Sequence, residues 1–378
     1  MKNSKNILHV VNIYFVLPFF IGDQFIYFKE KGYNLHVACS PSENLKNFAK
    51  DKCFKYLETP INRSISLYED ILSIGRICKY SRRNKIGIIV GHTPKGGLIA
   101  MIAGLICGIP KRIYFRHGLV YETSIGFKRF ILKTVDRIAS LCATKIVCVS
   151  QSVLQKSIND KLAPTKKQVL LGKGTCNGVD TINQYNPILI DKAQTHELRL
   201  KYGISQNEFV IGYSGRLVKD KGIIELISSL DYLRQPTNFK LLLVGPFEER
   251  DSLPDDIKNK IQSNPRIIHT GYINGGMEYY YSMMDLYALP SYREGFPTGV
   301  LEAQAMNLPV ITTKATGCCD SIIDGITGLF ITHDPKDIAT KIDSIRLNKS
   351  IDGNRGRKWV MENFDSRIIW KEIEKLYL

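Results

Sequence analysis

Pro290-Ser-Tyr-Arg-Glu-Gly-Phe-Pro-Thr-Gly-Val-Leu-Glu302 follows a short apolar run, Leu286-Tyr-Ala-Leu289, and leads into a segment stopped by Asn307 and Pro309. The apolar run predicts a buried strand, and residues 298–306 predict a helix. Pro297 suits the first helical turn, where its missing N–H would have no partner anyway. A strand passing through a glycine-containing loop into a helix N-terminus gathers free N–H groups and the positive dipole end at one spot. That spot suits an anion. Glu294 in the loop and Glu302 one turn into the helix frame it with carboxylates, which accept hydrogen bonds from hydroxyls. A ligand that is phosphate at one point and polyol on either side, such as a sugar nucleotide, meets both demands. Ordinary loop-to-helix turns also carry a Glu on each side, so the spacing needs support from the rest of the chain.

That support begins with rhythm. Phe209-Val-Ile-Gly-Tyr213, Leu241-Leu-Leu-Val244, Ile267-Ile-His269 and Val310-Ile-Thr-Thr313 read as strands, with a helix over residues 223–233 between the first two. The first half repeats the pattern with Ile7-Leu-His-Val-Val11, Asn34-Leu-His-Val-Ala38, Ile86-Gly-Ile-Ile-Val90, Ile113-Tyr-Phe115 and Lys145-Ile-Val-Cys-Val149. A helix carrying Phe19, Phe25 and Phe28 follows the first of these, and residues 71–80 form another. Continuous apolar strands alternating with helices indicate an α/β fold with parallel sheets covered on both faces. A chain of 378 residues accommodates two such domains. The polar stretch after Gly172-Lys-Gly-Thr-Cys-Asn-Gly-Val-Asp180 marks their boundary, and residues 358–378 read as one core-packing terminal helix.

Composition excludes several classes. Apolar residues make up 44% and charged residues 23%, which fits a folded protein rather than a disordered one. The nine cysteines show no C-x-x-C or Cys/His ligand spacing, so they read as reduced cytosolic thiols and not as a metal site. The apolar N-terminal run is interrupted by His9, Asn12 and Pro18, and the run over residues 98–110 is too short for a membrane span. A net charge of +16 implies an anionic partner: phosphorylated ligands, an anionic membrane surface or nucleic acid. Residues 126–138, Gly-Phe-Lys-Arg-Phe-Ile-Leu-Lys-Thr-Val-Asp-Arg-Ile, form a cationic amphipathic helix. It reads either as core packing with solvated lysines or as a membrane-docking surface.

Other loops carry candidate chemistry. Ser214-Gly-Arg-Leu-Val-Lys-Asp-Lys-Gly222 offers Gly215 for close backbone approach, with Arg216 and Lys221 as cations. Arg116-His-Gly118 puts His117 after a strand; it is a packed histidine or a ligand contact. His92-Thr-Pro-Lys95 follows another strand, and Asn177-Gly178 reads either as a plain tight turn or as part of a motif at the domain junction. Gly245 and Ile273 each follow a strand, where backbone can approach a base. No Asp-x-Asp follows a strand, since Asp255-Asp256 falls in a polar helical stretch. Catalysis without a metal or other cofactor is therefore expected.

Taken together these motifs resemble the retaining glycosyltransferases of family 4, whose signature is E-x7-E in a loop reading E-G-F-P. There the first Glu holds sugar hydroxyls and the second the ribose, positions matched by Glu294 and Glu302. Gly295, Phe296, Pro297 and Thr298 match the backbone-amide segment between them. The family's G-R-L…K-G segment assigns Arg216 and Lys221 to the donor diphosphate, which they would stabilise as it departs. Its His-Gly implies that His117 orients a sugar hydroxyl or shields an oxocarbenium centre. Its H-T-P-K loop implies an acceptor-side role for His92 and Lys95, and its N-G-V-D matches Asn177–Asp180 at the domain junction. The base is held near positions such as Gly245 and Ile273. The chain departs from the pattern at Asp320, where relatives place Glu, and at Val11-Asn-Ile-Tyr-Phe15, where many have Gly-Gly.

The resemblance implies a GT-B architecture, two doubly wound Rossmann-like domains with an interdomain cleft. Residues 1–183 would be the acceptor side, 184–355 the nucleotide-sugar domain and 356–378 a helix crossing back to the first. It implies retaining transfer of a hexose or N-acetylhexosamine from a UDP-sugar to a lipid-linked or growing glycan, in capsule or O-antigen assembly. Work at the inner face of the cytoplasmic membrane, with peripheral contact to anionic lipid and no nucleic acid, completes the expectation. The rivals are an epimerase or phosphorylase on the same fold, and a non-enzymatic basic binding protein. Salt-sensitive binding indifferent to Glu294→Ala would mark the last.

Overall fold

Strands that are apolar on both faces must be covered on both faces, and the computed structural model, which describes residues 5–62, 66–234, 238–249 and 251–378, meets that demand twice. The first unit runs to Asn177 and takes in Arg367–Leu378; the second is Gly178–Ser366.

In the first unit, β1 (Asn6–Val10), β2 (Asn34–Cys39), β3 (Lys55–Glu58), β4 (Ile88–Gly91), β5 (Lys111–Arg116), β6 (Lys145–Cys148) and β7 (Gln168–Leu170) form a sheet among the described residues. Its order is β3-β2-β1-β4-β5-β6-β7, and the pairings are parallel. The apolar run over residues 98–110 lies largely in the helix Pro94–Ile106, seven of whose residues are buried. Burial in a core, not in a bilayer, accounts for its hydropathy.

In the second unit, β8 (Phe209–Ser214), β9 (Phe239–Val244), β10 (Ile267–His269), β11 (Leu286–Leu289), β12 (Val310–Thr313) and β13 (Gly328–Ile331) form a parallel sheet. Its order is β10-β9-β8-β11-β12-β13.

Several expectations need correction. The division falls at Asn177/Gly178 and Ser366/Arg367 rather than at residues 183 and 355. The terminal segment is two helices, Gly353–Asn363 in the second unit and Ser366–Tyr377 mostly in the first. The break comes where Phe364 and Ser366 exchange backbone hydrogen bonds with Val179 (2.9 and 3.0 Å) and Asp365 accepts from Thr181 Oγ1 at 2.6 Å. A continuous helix would have no backbone groups free for that bridge. Beyond the break, Trp370 Nε1 donates to Asn177 Oδ1 at 2.9 Å and Tyr27 donates to Glu374 at 3.1 Å, tying the last helix into the first unit. The helix expected to carry Phe19, Phe25 and Phe28 is divided into Leu17–Phe20 and Gln24–Glu30, with Gly22 at φ 49° between them.

Candidate functional site

The strand order decides where a ligand can sit. In the second unit β8 and β11 are neighbours, and the chain winds outward from β8 through β9 and β10, then from β11 through β12 and β13. Loops leaving two adjacent strands in opposite directions open a crevice at their carboxyl ends. The loop after β8 holds Gly215, Arg216 and Lys221; the loop after β11 holds Glu294, Gly295, Phe296 and Pro297. Both motifs therefore lie at one switch point.

The two loops are joined through backbone. The Ser291 hydroxyl and the Tyr292 N–H both donate to the Asp220 carbonyl, at 3.1 and 2.9 Å. Gly222 has φ 71°, and a Cβ there would lie 2.1 Å from the Pro290 carbonyl oxygen. Glycine is needed on both counts. Thr313 Oγ1 donates to the Ser291 carbonyl at 2.6 Å, and the Glu294 N–H to Thr316 at 2.8 Å, so β12 and its loop support the site from behind.

Charge is arranged in pairs. Lys221 Nζ donates to Glu294 Oε1, and only 14% and 16% of the two side chains are exposed. Arg216 donates to Glu248, a residue that the motifs did not single out. Arg293 pairs with Asp220 at 3.1 Å, backing the same loop junction. Each of the two cations assigned to an anion thus holds a carboxylate.

The helix is Thr298–Ala305, and Pro297 is its N-cap (φ −78°, ψ 95°) rather than a residue of its first turn. Pro297 makes no side-chain cap and no acidic residue lies in the first turn, an end that favours negative charge. Phe296 packs on Phe364 with centroids 5.2 Å apart, fixing the approach to the helix. Glu302 accepts from Tyr281 Oη at 2.7 Å, and Ser214 Oγ lies 2.8 Å from Tyr281 Oη and 3.1 Å from Tyr287 Oη. Burial raises the Glu302 carboxyl above the usual carboxylate range, against the lowering pull of hydrogen bonds from Tyr281 and Tyr185. This tyrosine cluster escaped the sequence reading; the Tyr279-Tyr280-Tyr281 run was its only trace.

Gly245 directly follows β9 at φ 141°, its carbonyl 2.8 Å from His269 Nε2, and Ile273 follows β10 packed on the core. The two follow paired parallel strands. Asp320 ends the turn Cys318–Asp320, directly after Gly317, the residue that lies against the Glu294 and Gly295 carbonyls.

The first unit has its own switch point, between β1 and β4. Here three imidazoles line up: His9 Nδ1 lies 3.0 Å from His92 Nε2, and His92 Nδ1 lies 3.0 Å from His117 Nε2. His92 is 2% exposed and enclosed by the other two rings, so it cannot meet an acceptor directly. Lys95 is ion-paired with Asp70, both side chains largely covered. The acceptor-side assignment of His92 and Lys95 is thus not supported by their surroundings. His117 is partly exposed, its ring stacked on Phe20 at 3.7 Å and 6°. Arg116, beside it in sequence, is fully buried and bonded to Asp136, Ser140, Ser157 and Gln168, which makes it structural. Asn177 is structural too, its Oδ1 accepting from both Gln24 (3.0 Å) and Trp370 (2.9 Å).

Helix Gly126–Cys142 resolves the earlier pair of readings in part: Phe127 and Phe130 are 76% and 61% exposed, so its aromatic residues do not fill the core.

With this geometry in view, the chain can be compared with known proteins. Residues 7–150 match the family described as glycosyl transferase 4-like, and residues 194–359 match glycosyl transferases group 1. The capsular polysaccharide biosynthesis glycosyltransferase CapM of Staphylococcus aureus is 35% identical over 382 residues, covering 100% of this chain and 97% of its own. An Escherichia coli enzyme, UDP-Gal:alpha-D-GlcNAc-diphosphoundecaprenol alpha-1,3-galactosyltransferase, is 24% identical, with 84% and 82% of the chains covered. Among solved structures, Anabaena HepE in complex with UDP and glucose superimposes with a TM-score of 0.82 at 18% identity, covering 98% of each chain. The fold is thus that of the GT-B glycosyltransferases. The chain belongs to the group 1, family 4-like glycosyltransferases and is a transferase of sugars.

Proposed function

We propose that this enzyme moves a hexose or N-acetylhexosamine from a UDP-sugar to a lipid-linked or growing glycan in surface polysaccharide assembly, with retention at the anomeric carbon. The observation that carries the donor half is the convergence, at one switch point, of Arg216, the Lys221–Glu294 pair and the uncapped N-terminus at Thr298. A diphosphate can take Lys221 and Arg216 from their carboxylates, and Glu294, so released, accepts from hydroxyls of the sugar. Glu302 is a ribose partner on this reading, and Gly245 and Ile273 border the base. UDP is favoured because the E. coli relative is named for UDP-Gal and HepE was solved with UDP.

In the transfer step the acceptor oxygen bonds to the anomeric carbon as the bond to the phosphate oxygen breaks, on the same face. The departing diphosphate takes the acceptor proton, and the two cations with the helix N-terminus stabilise its developing charge. Metal-independent turnover fits those cations.

The lipid-linked acceptor is supported by the diphosphoundecaprenol named for the E. coli relative. Peripheral contact with an anionic membrane, at the cytoplasmic face, is supported by exposed Phe127, Phe130 and Leu141 on a helix that also carries Lys128, Arg129 and Lys133. No helix of the described residues is long and apolar enough to cross a membrane.

The test is thermal stabilisation by a panel of nucleotide sugars, with Glu302→Ala and Arg216→Ala alongside, then the anomeric configuration of the product by NMR and turnover in chelator. A UDP-sugar that stabilises only the unmutated protein supports the reading. An inverted product, or turnover abolished by chelator and restored by a divalent cation, would sink its retaining or metal-independent part.

A further inference from the structure

Three rings, three protons and two hydrogen bonds define the histidine row almost completely. His9 lies within β1, His92 directly follows β4 and His117 directly follows β5, strands that are neighbours in the sheet. Phe25 packs against the edge of His9, Phe115 and Phe20 stack on His92, and Phe20 covers His117. In that apolar sheath burial pushes His9 and His117 down to about 3, and burial with the neighbouring imidazoles pushes His92 well below its ordinary value. All three are neutral at pH 7.

A neutral imidazole has one N–H and one bare nitrogen. His92 can therefore donate from Nδ1 to His117 and accept from His9, or donate from Nε2 to His9 and accept from His117. The first arrangement leaves the remaining proton on His117 Nδ1. The second leaves it on His9 Nε2, an atom that is buried and has no hydrogen-bond partner. A buried N–H without an acceptor carries its full desolvation cost. His117 Nδ1 makes no bond among the described residues and belongs to a partly exposed ring, where water or a ligand can accept from it.

We infer that His9 and His92 are positioning residues that fix His117 as its Nδ1–H tautomer, so that the enzyme meets a substrate oxygen there with a hydrogen-bond donor and not with a base. This deepens the proposed transfer reaction and rests on it only for the identity of the substrate oxygen. It assigns the acceptor's proton elsewhere, in agreement with its passage to the departing diphosphate. It also gives His92 and His9 a role that neither could have by touching a substrate.

The test begins with the full chain, free of ligand and labelled with nitrogen-15. Two-bond proton–nitrogen correlation at pH 7, assigned with a His117→Phe sample, should show His117 protonated at Nδ1, the minor form of free imidazole in water. Protonation at Nε2 overturns the inference, whatever the enzyme turns over. His92→Phe keeps the ring stack and removes both hydrogen bonds. It should bring Nε2–H into the His117 signals and lower kcat about tenfold while the donor KM holds within about twofold. His92→Gln, whose amide has one donor and one acceptor, should recover much of that loss. A kcat for His92→Phe near that of the unmutated enzyme, or no difference between Phe and Gln, removes the positioning role. If no sugar nucleotide is turned over at all, the transfer reading fails while the tautomer measurement still decides this one. Should His92→Phe not fold, the unmutated spectrum and His9→Gln, which keeps an amide donor for His92, carry the same decision: a His117 tautomer that differs between them by more than a minor admixture of Nε2–H counts against it.

Discussion

At the carboxyl edge of β8 and β11 the second unit gathers charge: Lys221 on Glu294, Arg216 on Glu248, Arg293 on Asp220, and an uncapped helix end. At the carboxyl edge of β1, β4 and β5 the first unit gathers imidazoles that burial keeps neutral. The strand order about the two switch points is the same, and the electrostatics differ. A diphosphate leaving group needs fixed charge, and charge can be kept at hand only in pairs that the ligand then exchanges. A sugar or acceptor oxygen needs an oriented dipole, which a neutral hydrogen-bonded row supplies without the cost of burying an ion.

The largest effect expected from breaking the charged edge is on turnover. Arg216→Ala and Lys221→Ala should each lower kcat by about 10²–10³-fold, the scale of losing one preorganised stabiliser of developing charge. The melting temperature of Arg216→Ala should change little, because a part-exposed cation adds little to stability, whereas Lys221→Ala leaves the covered Glu294 carboxylate unpaired and should lower it as well. Glu294→Gln should separate the two functions of its carboxylate. Lys221, freed of its partner, should hold UDP more tightly while turnover falls. Steady-state rates and calorimetric titration with UDP check both; variants that keep more than about a tenth of the wild-type rate would remove these cations from the step.

The neutral edge should reveal itself through acid. His9 titrates at about 3 in the folded chain and near 6.5 when unfolded. Between those values the unfolded chain binds the extra proton, so this contribution is complete above pH 6.5 and lost as pH falls toward 3. The loss is roughly 1.4 kcal/mol per pH unit for each such histidine, and His92 adds to it in the same direction. Unfolding free energies from urea titrations at pH 7 and pH 5 should therefore differ by several kcal/mol, and His9→Phe should remove roughly 2 kcal/mol of that difference. An unchanged acid slope in the variant would mean that His9 is solvated.

The contrast also explains what the sequence could and could not reveal. The strands Leu286–Leu289 and Val310–Thr313 were legible to the residue, because an inner strand buried along its whole length reads as one uninterrupted run, and Ile267–His269 was legible too, although it lies at the edge. Lys55–Glu58, Gln168–Leu170 and Gly328–Ile331 were not, and all three are edge strands with partly open faces, where that run breaks down. At the site, Glu294, Glu302, Arg216 and Lys221 were readable because loop and helix residues close in sequence carry them. Glu248 and the tyrosines around Glu302 were not, since only folding brings residues 185, 214, 281, 287 and 302 together. His9 had a signal that went unused: a polar ring at the centre of Ile7-Leu-His-Val-Val11 must find a partner when that strand is buried.

Glu302 belongs to the charged edge by type and to the neutral edge by environment, and it gives the smallest and most discriminating effect. Burial raises its carboxyl, so the folded chain holds the proton more tightly than the unfolded one. Its contribution to stability is therefore present in acid and lost as pH rises through the folded value. Glu302→Gln keeps an oxygen for Tyr281 and cannot ionise. At pH 7 its stability should lie within about 1 kcal/mol of wild type, and its standing relative to wild type should improve from pH 4 to pH 7. Affinity for UDP should nonetheless drop, because an amide is a poorer acceptor for two ribose hydroxyls than a carboxylate. Urea midpoints at both pH values, read beside UDP titration, separate the outcomes. If stability falls by well over 2 kcal/mol while UDP affinity holds, the carboxylate exists for the tyrosine cluster and not for the ligand.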